Sequence, residues 1–180
     1  MGRSEAYGVP WRSGKREMKI LFAQNKEELA RCFPIVVQLR THLDLKTFLD
    51  QVQRQFVDDY RIVCIEDQGE VRAVAGFRIK EMLARGRHLY VDDLVTDERA
   101  RSQGYGSSLL RWLVDYVKAH RCGEVHLDSG VERKDAHRFY IREGMEISAY
   151  HFRLRTNSTS SHSLVVRRKS RRESPTGKRP

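Results

Sequence analysis

The chain has 180 residues, of which 39% are hydrophobic and 32% charged, as expected for one globular domain. No apolar run approaches the roughly 20 residues that span a bilayer, and no signal-like stretch opens the chain, so we expect a cytoplasmic protein with no membrane partner. Cys32, Cys64 and Cys122 are widely spaced without a C-x-x-C pair, which predicts free thiols and no metal site.

The formal net charge of +10 is concentrated at the two ends of the chain. Residues 1–16 carry +3 and residues 153–180 carry +8, which leaves −1 for residues 17–152. We therefore predict a basic N-terminal extension (1–17), a nearly neutral folded domain (18–154) and a basic, disordered Ser/Arg-rich tail (155–180). The tail is a candidate for contact with nucleic acid, which salt would weaken.

The first third of the chain predicts one strand and two helices. Residues 18–23 alternate loosely enough for a strand, and Asn25 with Glu28 three residues later forms a capping box for the helix that follows. Pro34 is expected to kink or split this helix. Asp44 caps a second helix, whose apolar residues recur at intervals of three and four: Leu45, Phe48, Leu49, Val52 and Phe56.

The remaining elements alternate between hairpins and crossovers. Strands are predicted over 60–65 and 71–79, joined by a turn at 67–70, and over 88–96. A helix over 107–120, a strand over 125–127, a helix over 134–141 and a final strand over 145–154 follow. This order predicts a mixed α/β fold rather than a purely doubly wound one.

The stretch between the strand at 88–96 and the helix at 107–120 has the composition of an anion-binding turn. Arg101, Gly104 and Gly106 lead directly into an amphipathic helix, whose unpaired N–H groups and dipole favour a pyrophosphate. Ser107 adds a hydroxyl. A simple tight turn is the alternative reading; a dinucleotide-binding turn fits less well, because Leu109 stands where the third glycine belongs.

These residues match a known signature. The run Arg101, Gly104, Gly106 resembles the R/Q-x-x-G-x-G/A motif of the GNAT acetyltransferase superfamily, and a second block of that superfamily is matched by Ala136, Phe139, Tyr140, Gly144 and Met145. The resemblance extends over about residues 18–153. It implies a mostly antiparallel central sheet flanked by helices on both faces, and acetyl-CoA as the co-substrate.

The resemblance also implies the residues of the donor site. Backbone groups of one strand would pair with the pantetheine amides and polarise the thioester carbonyl. Where the family often has Asn, this chain has Gly130 and Arg133, so Ser129 or Arg133 is expected to substitute. The implied acetyl-CoA contacts are Leu94, Val95, Thr96, Arg101, Ser102, Gln103, Gly104, Tyr105, Gly106, Ser107, Ser129 and Arg133.

Three residues are candidates for proton transfer. Asp92 or Asp93 is placed by the resemblance beside the acyl group, where it would act through water as general base or attract an ammonium. Strand alternation separates the two, and a bulge that is common in the family would reset the phase. Tyr140 matches the tyrosine that protonates the leaving thiolate, with a core aromatic as the alternative. Weaker candidates are His88, Tyr90, Glu124 and His126.

The leading interpretation is an N-acetyltransferase that acts on a primary amine by direct attack in a ternary complex. The alternative is a non-catalytic acyl-CoA-binding module whose basic tail contacts nucleic acid or a partner. By analogy with the family, the junction of the first two helices, with Gln38, Arg40 and His42, is expected to shape the acceptor pocket. The sequence leaves the acceptor open, and also the choice between a monomer and a homodimer.

Overall fold

The computed structural model describes residues 10–13 and 16–156. The chain divides into two compact units, residues 1–147 and residues 148–180. All the helices and strands of the described residues lie in the first unit. Residues 148–156 form neither a helix nor a strand. Most of the predicted basic tail lies outside the described residues. Within the described part, no helix is long and apolar enough to cross a membrane.

One mixed sheet forms the centre of the first unit. Its six strands lie side by side in chain order, and every neighbouring pair is antiparallel except the last, β5 with β6, which is parallel. The predicted mixed, mostly antiparallel sheet is therefore confirmed. The strands are β1 (Pro10–Ser13), β2 (Arg16–Phe22), β3 (Arg61–Asp67), β4 (Glu70–Met82), β5 (Gly86–Thr96) and β6 (Val125–Leu127).

Three of the α-helices begin where the sequence predicts, and α3 begins at Tyr105, two residues before its predicted start. In front of α1, Asn25 accepts hydrogen bonds from the backbone of Glu27 and Glu28 while Glu28 accepts from the Asn25 N–H, so the capping box is confirmed. Asp44 caps α2. Pro34 lies inside α1 without splitting it. The α-helices of the described residues are α1 (Lys26–Leu39), α2 (Leu45–Gln55), α3 (Tyr105–Ala119) and α4 (Lys134–Arg142).

Alternation along the strands gives each face of the sheet its own core. On β3, Val63 and Ile65 belong to the cluster that α3 covers, while Ile62 and Cys64 belong to the cluster that α1 and α2 cover. Phe77 is fully buried under α3. Helices thus flank the sheet on both faces, as predicted.

The predicted final strand over 145–154 is wrong. Residues 145–156 have no strand partner among the described residues, and Ile147, Phe152 and Leu154 are exposed. A strand needs a ladder to satisfy its backbone, and β6, the last strand of the sheet, is only three residues long. Alternating apolar residues alone therefore do not make a strand here.

Candidate active site

The glycine turn has the backbone geometry that the sequence predicts. Ser102 has a φ of 62° and Gly104 a φ of 87°, and the chain then enters α3 at Tyr105. Gly104 is the N-cap, and it has no side chain with which to occupy the first N–H groups of the helix. A Cβ at position 104 would meet no described atom within 4 Å, so the space in front of the helix is open. This geometry suits an anion that approaches the backbone closely.

Gly106 lets three elements meet at this turn. A Cβ at position 106 would lie 3.1 Å from Thr96 Oγ1 on β5 and 3.5 Å from the Phe139 ring on α4. The contact is thus tighter than most side chains would allow. The first turn of α3 is in this way held against the end of β5 and against α4.

The side chains of the turn have different surroundings. Tyr105 is buried, and its hydroxyl donates to Asp67, so its side chain is turned away from the open space in front of the helix. The Ser107 hydroxyl donates to Glu143 Oε1 at 2.6 Å. Arg101, Ser102 and Gln103 are exposed.

β5 and β6 separate before β5 ends. Their ladder covers three pairs and stops at Val91 with Leu127, whereas β5 continues to Thr96. Leu94–Thr96 consequently have no neighbouring strand on the β6 side among the described residues. Their side chains alternate: Leu94 packs towards the core under α3, and Val95 towards that under α1 and α2. The free backbone edge faces the region that follows β6, where Ser129 is half-buried and Arg133 is exposed.

A bulge lies in β5 just before this free edge. Gly76 pairs with Asp93 and Phe77 pairs with Val91, so Asp92 is the extra residue. The bulge that the family resemblance implied is therefore present. The bulge shifts the alternation of side chains between the two faces of the sheet at Asp92 and Asp93, the two candidate bases.

Both candidate bases have arginine partners. Arg78 Nε donates to Asp92 Oδ2 at 2.9 Å, and Arg40 Nε donates to Asp93 Oδ1 at 2.6 Å. Asp93 accepts a second hydrogen bond, at its Oδ2, from the Tyr60 hydroxyl at 3.0 Å. Asp93 thus uses both carboxylate oxygens, while the contacts of Asp92 use one.

Sequence reasoning missed Tyr60 as a partner of this site. Tyr60 is buried, and desolvation together with the Asp93 carboxylate raises the pKa of its hydroxyl well above the usual value. The signal was Gly76, a glycine inside a strand: a Cβ there would lie 1.8 Å from the Tyr60 hydroxyl oxygen. Gly76 is what allows Tyr60 to reach Asp93.

The end of α1 contacts β5 and the turn that follows it. The Arg40 guanidinium also donates to the Asp92 carbonyl at 2.9 Å. Gln38 donates to Asp97 Oδ1 at 3.2 Å and accepts from the Glu98 N–H at 2.9 Å. Two residues that the sequence assigned to an acceptor pocket are thus bonded to the segment that carries the predicted acyl site.

The predicted acid lies on α4. The ring of Tyr140 contacts Phe139 edge-on, with ring centroids 5.3 Å apart. Burial raises the pKa of the Tyr140 hydroxyl, and the opposing effect of Arg133 is smaller. The hydroxyl is therefore protonated at neutral pH, as a general acid must be.

The weaker candidates lie around the β5–β6 ladder. His88 is fully buried, 5.0 Å from the ring of His126, and His126 in turn contacts Glu124 at 2.6 Å. Tyr90 donates to Asp128 on the segment after β6. Within the described part of the chain, no hydrogen bond joins any of these four residues to Asp92, Asp93 or Tyr140.

Comparison with known proteins supports one family. Residues 22–145 match the model of the Acetyltransferase (GNAT) family. The chain is 38% identical over 131 residues to an uncharacterized N-acetyltransferase, YhdJ, of Bacillus subtilis (strain 168), covering 72% of this chain and 92% of that protein. It is 29% identical over 118 residues to an aminoalkylphosphonate N-acetyltransferase of Salmonella typhimurium, covering 63% and 75% of the two chains.

The fold agrees with solved structures. A structure of an aminoglycoside N-acetyltransferase in complex with CoA superposes with a TM-score of 0.70 at 15% identity, covering 81% of this chain and 99% of that one. The glycine turn, the freed edge of β5 and the match over residues 22–145 lead to one conclusion. The chain belongs to the GNAT family of acetyltransferases.

Proposed function

We propose that the protein transfers an acetyl group from acetyl-CoA to a primary amine, by direct attack of the amine in a ternary complex. The observation that carries this proposal is the junction at Gly106, which brings the N-terminus of α3, left without a side-chain cap at Gly104, against the freed edge of β5. A long donor with phosphates at one end and a thioester at the other requires these two features side by side.

The donor would lie along this junction. The N–H groups of the turn from Arg101 to Ser107 would receive the pyrophosphate, with the Arg101 side chain adding charge. The backbone groups of Leu94–Thr96 that point away from β4 would pair with the pantetheine amides, and one N–H would face the thioester oxygen, where negative charge develops on attack. Ser129 and Arg133 would contact the arm from the segment after β6.

Attack requires a neutral amine. For an amine with a pKa near 10.4, loss of the proton at pH 7 costs about 4 to 5 kcal/mol. We assign the base to Asp92, acting through water, because Asp93 has both oxygens engaged by Arg40 and Tyr60. Tyr140 would donate its proton to the departing sulfur as the carbon–sulfur bond breaks.

The role of Asp92 predicts a pH-dependent defect. In Asp92→Asn we expect kcat to fall about a hundredfold at pH 7, with acetyl-CoA binding little changed. As the pH rises towards the pKa of the amine, more substrate is neutral without help, so the defect should shrink. A thiol-release assay from pH 7 to 9.5 measures this, and a constant ratio between variant and wild type would contradict the assignment.

The role of Tyr140 predicts a smaller defect. A free thiol has a pKa near 8.5, so its thiolate leaves readily, and we expect Tyr140→Phe to lower kcat only about tenfold. The KM for acetyl-CoA should stay within about twofold, since the ring is retained. Steady-state kinetics with each amine acceptor found in a screen provide the measurement. A raised KM with unchanged kcat would instead make Tyr140 a binding residue.

The screen itself tests the proposal. Aminoalkylphosphonates and aminoglycosides, the compounds in the names of two similar proteins described above, are the first acceptors to try. Release of free CoA thiol that requires both the protein and one of these amines would support amine acetylation. Absence of acetyl-CoA binding by calorimetry would reject it.

A further inference from the structure

We infer that the end of α1, together with Tyr60, positions the acyl-binding segment of β5 from both of its ends, and we call Gln38, Arg40 and Tyr60 the β5 clamp. The inference rests on the proposed function in one respect, the assignment of Leu94–Thr96 to the acetyl donor. These are positioning residues, because each acts through Asp92, Asp93, Asp97 or Glu98 and not on the substrate.

The contacts of the clamp bracket the three residues in the chain. Before Leu94, Arg40 holds the Asp93 carboxylate at 2.6 Å and the Asp92 carbonyl at 2.9 Å. After Thr96, Gln38 holds Asp97 and Glu98 at 3.2 and 2.9 Å. The two side chains lie two residues apart at the end of one helix, so the segment Leu94–Thr96 is held on both sides by a single element.

The bulge explains why a clamp is needed. A bulged residue leaves the ladder, so part of its backbone loses its strand partner and the strand bends more easily there. Arg40 replaces the lost partner at the Asp92 carbonyl, and its planar guanidinium fits that carbonyl and the Asp93 carboxylate together. Tyr60 supplies the second donor to Asp93 from the buried side. On the other edge, β6 has already ended.

The free edge of β5 therefore depends on side chains for its position. A donor that binds through backbone amides needs those amides fixed to within about half an ångström before it arrives. On one side, β4 supplies a ladder to Leu94–Thr96. Opening at the bulge would move these residues relative to the turn at Gly104, and the clamp opposes this opening.

Arg31 provides a matched control for Arg40. It lies on the same helix, and its guanidinium likewise bonds a strand carboxylate, Glu66, and a backbone carbonyl, Gly69, the latter at 3.2 Å. Those partners lie at the β3–β4 hairpin and not on β5. Arg40→Ala and Arg31→Ala thus remove similar contacts at different places. Arg40→Lys retains the charge but cannot make the two-armed contact.

The test combines hydrogen exchange with calorimetry on the full chain. In the free protein, we expect the protected amides of Leu94–Thr96 to exchange about tenfold faster in Arg40→Ala than in the wild type. Their exchange in Arg40→Lys should be nearly as fast as in Arg40→Ala. In Arg31→Ala these amides should exchange at the wild-type rate. The Kd for acetyl-CoA should rise about tenfold in both Arg40 variants and stay unchanged in Arg31→Ala.

The outcomes separate this inference from the proposed function. Unchanged exchange at Leu94–Thr96 in Arg40→Ala, or an equal increase in Arg31→Ala, would overturn the clamp. Faster exchange with an unchanged Kd would overturn its role in donor binding. If the wild type binds no acetyl-CoA, the proposed function fails. Hydrogen exchange at Leu94–Thr96 in the free protein then still tests whether the β5 clamp positions this segment.

Discussion

Gly104→Glu is expected to weaken acetyl-CoA binding at least tenfold. The substitution places a negative charge and the four side-chain atoms of glutamate beyond Cβ in the open space before α3, where the pyrophosphate is proposed to bind. Its carboxylate would itself occupy the positive end of the α3 dipole and would repel the phosphates that this end is proposed to attract. The φ of 87° at this position adds backbone strain, which costs about 1 to 2 kcal/mol of stability in any non-glycine residue.

Two controls separate these effects. Gly104→Ala introduces the strain without the charge, so it should retain most of the affinity. Gly86→Glu introduces both at the β4–β5 hairpin, where φ is 60° and a Cβ meets no described atom within 4 Å, so it should destabilise similarly and bind acetyl-CoA normally. Isothermal calorimetry measures the affinity for acetyl-CoA, and thermal unfolding measures the stability of each variant. Equal affinities for Gly104→Glu and Gly86→Glu would place the phosphates elsewhere.

Phe77→Ala is expected to cost about 3 to 5 kcal/mol of unfolding free energy. Phe77 is fully buried, and its ring lies 6.2 Å from that of Trp112 and 5.1 Å from that of Tyr116, so truncation leaves a cavity between β4 and α3. The whole free energy of unfolding of a typical domain is only about 5 to 15 kcal/mol. The loss should lower the melting temperature by roughly 10 °C or more.

An exposed phenylalanine, Phe152, provides a control for Phe77→Ala. Phe152 is 90% exposed, and Phe152→Ala should change the unfolding free energy by no more than about 0.5 kcal/mol. Urea unfolding of both variants followed by circular dichroism measures the difference. A loss of less than about 1 kcal/mol in Phe77→Ala would mean that α3 collapses onto the sheet and refills the space.

Local patterns in the sequence predicted most of the fold. The capping residues Asn25 and Asp44, the hairpin between β3 and β4 and the glycine turn depend on neighbours within a few residues, so the chain itself contains the signal. The strand predicted over 145–154 failed because a strand depends on a partner, and alternation says nothing about whether one is available.

The partners of the candidate site were harder to predict. Asp93 accepts hydrogen bonds from Arg40 and Tyr60, which precede it by 53 and 33 residues. No local sequence pattern predicts contacts between residues so far apart in the chain. Gly76 did carry a signal, since a glycine within a strand often marks a close approach, but the approaching residue could not be named. The glycine turn could be recognised because its residues form one continuous stretch of the sequence.

The contact at Gly106 sets the spacing of the whole site. Because Thr96 and the Phe139 ring both touch this one residue, the strand proposed to hold the thioester and the helix that carries Tyr140 share a common reference point. A larger residue there would push the strand and the helix apart together, so we expect the proposed donor binding and the proposed proton donation to be lost together. The absence of a side chain at one position therefore fixes the distance between the proposed thioester site and the proposed acid.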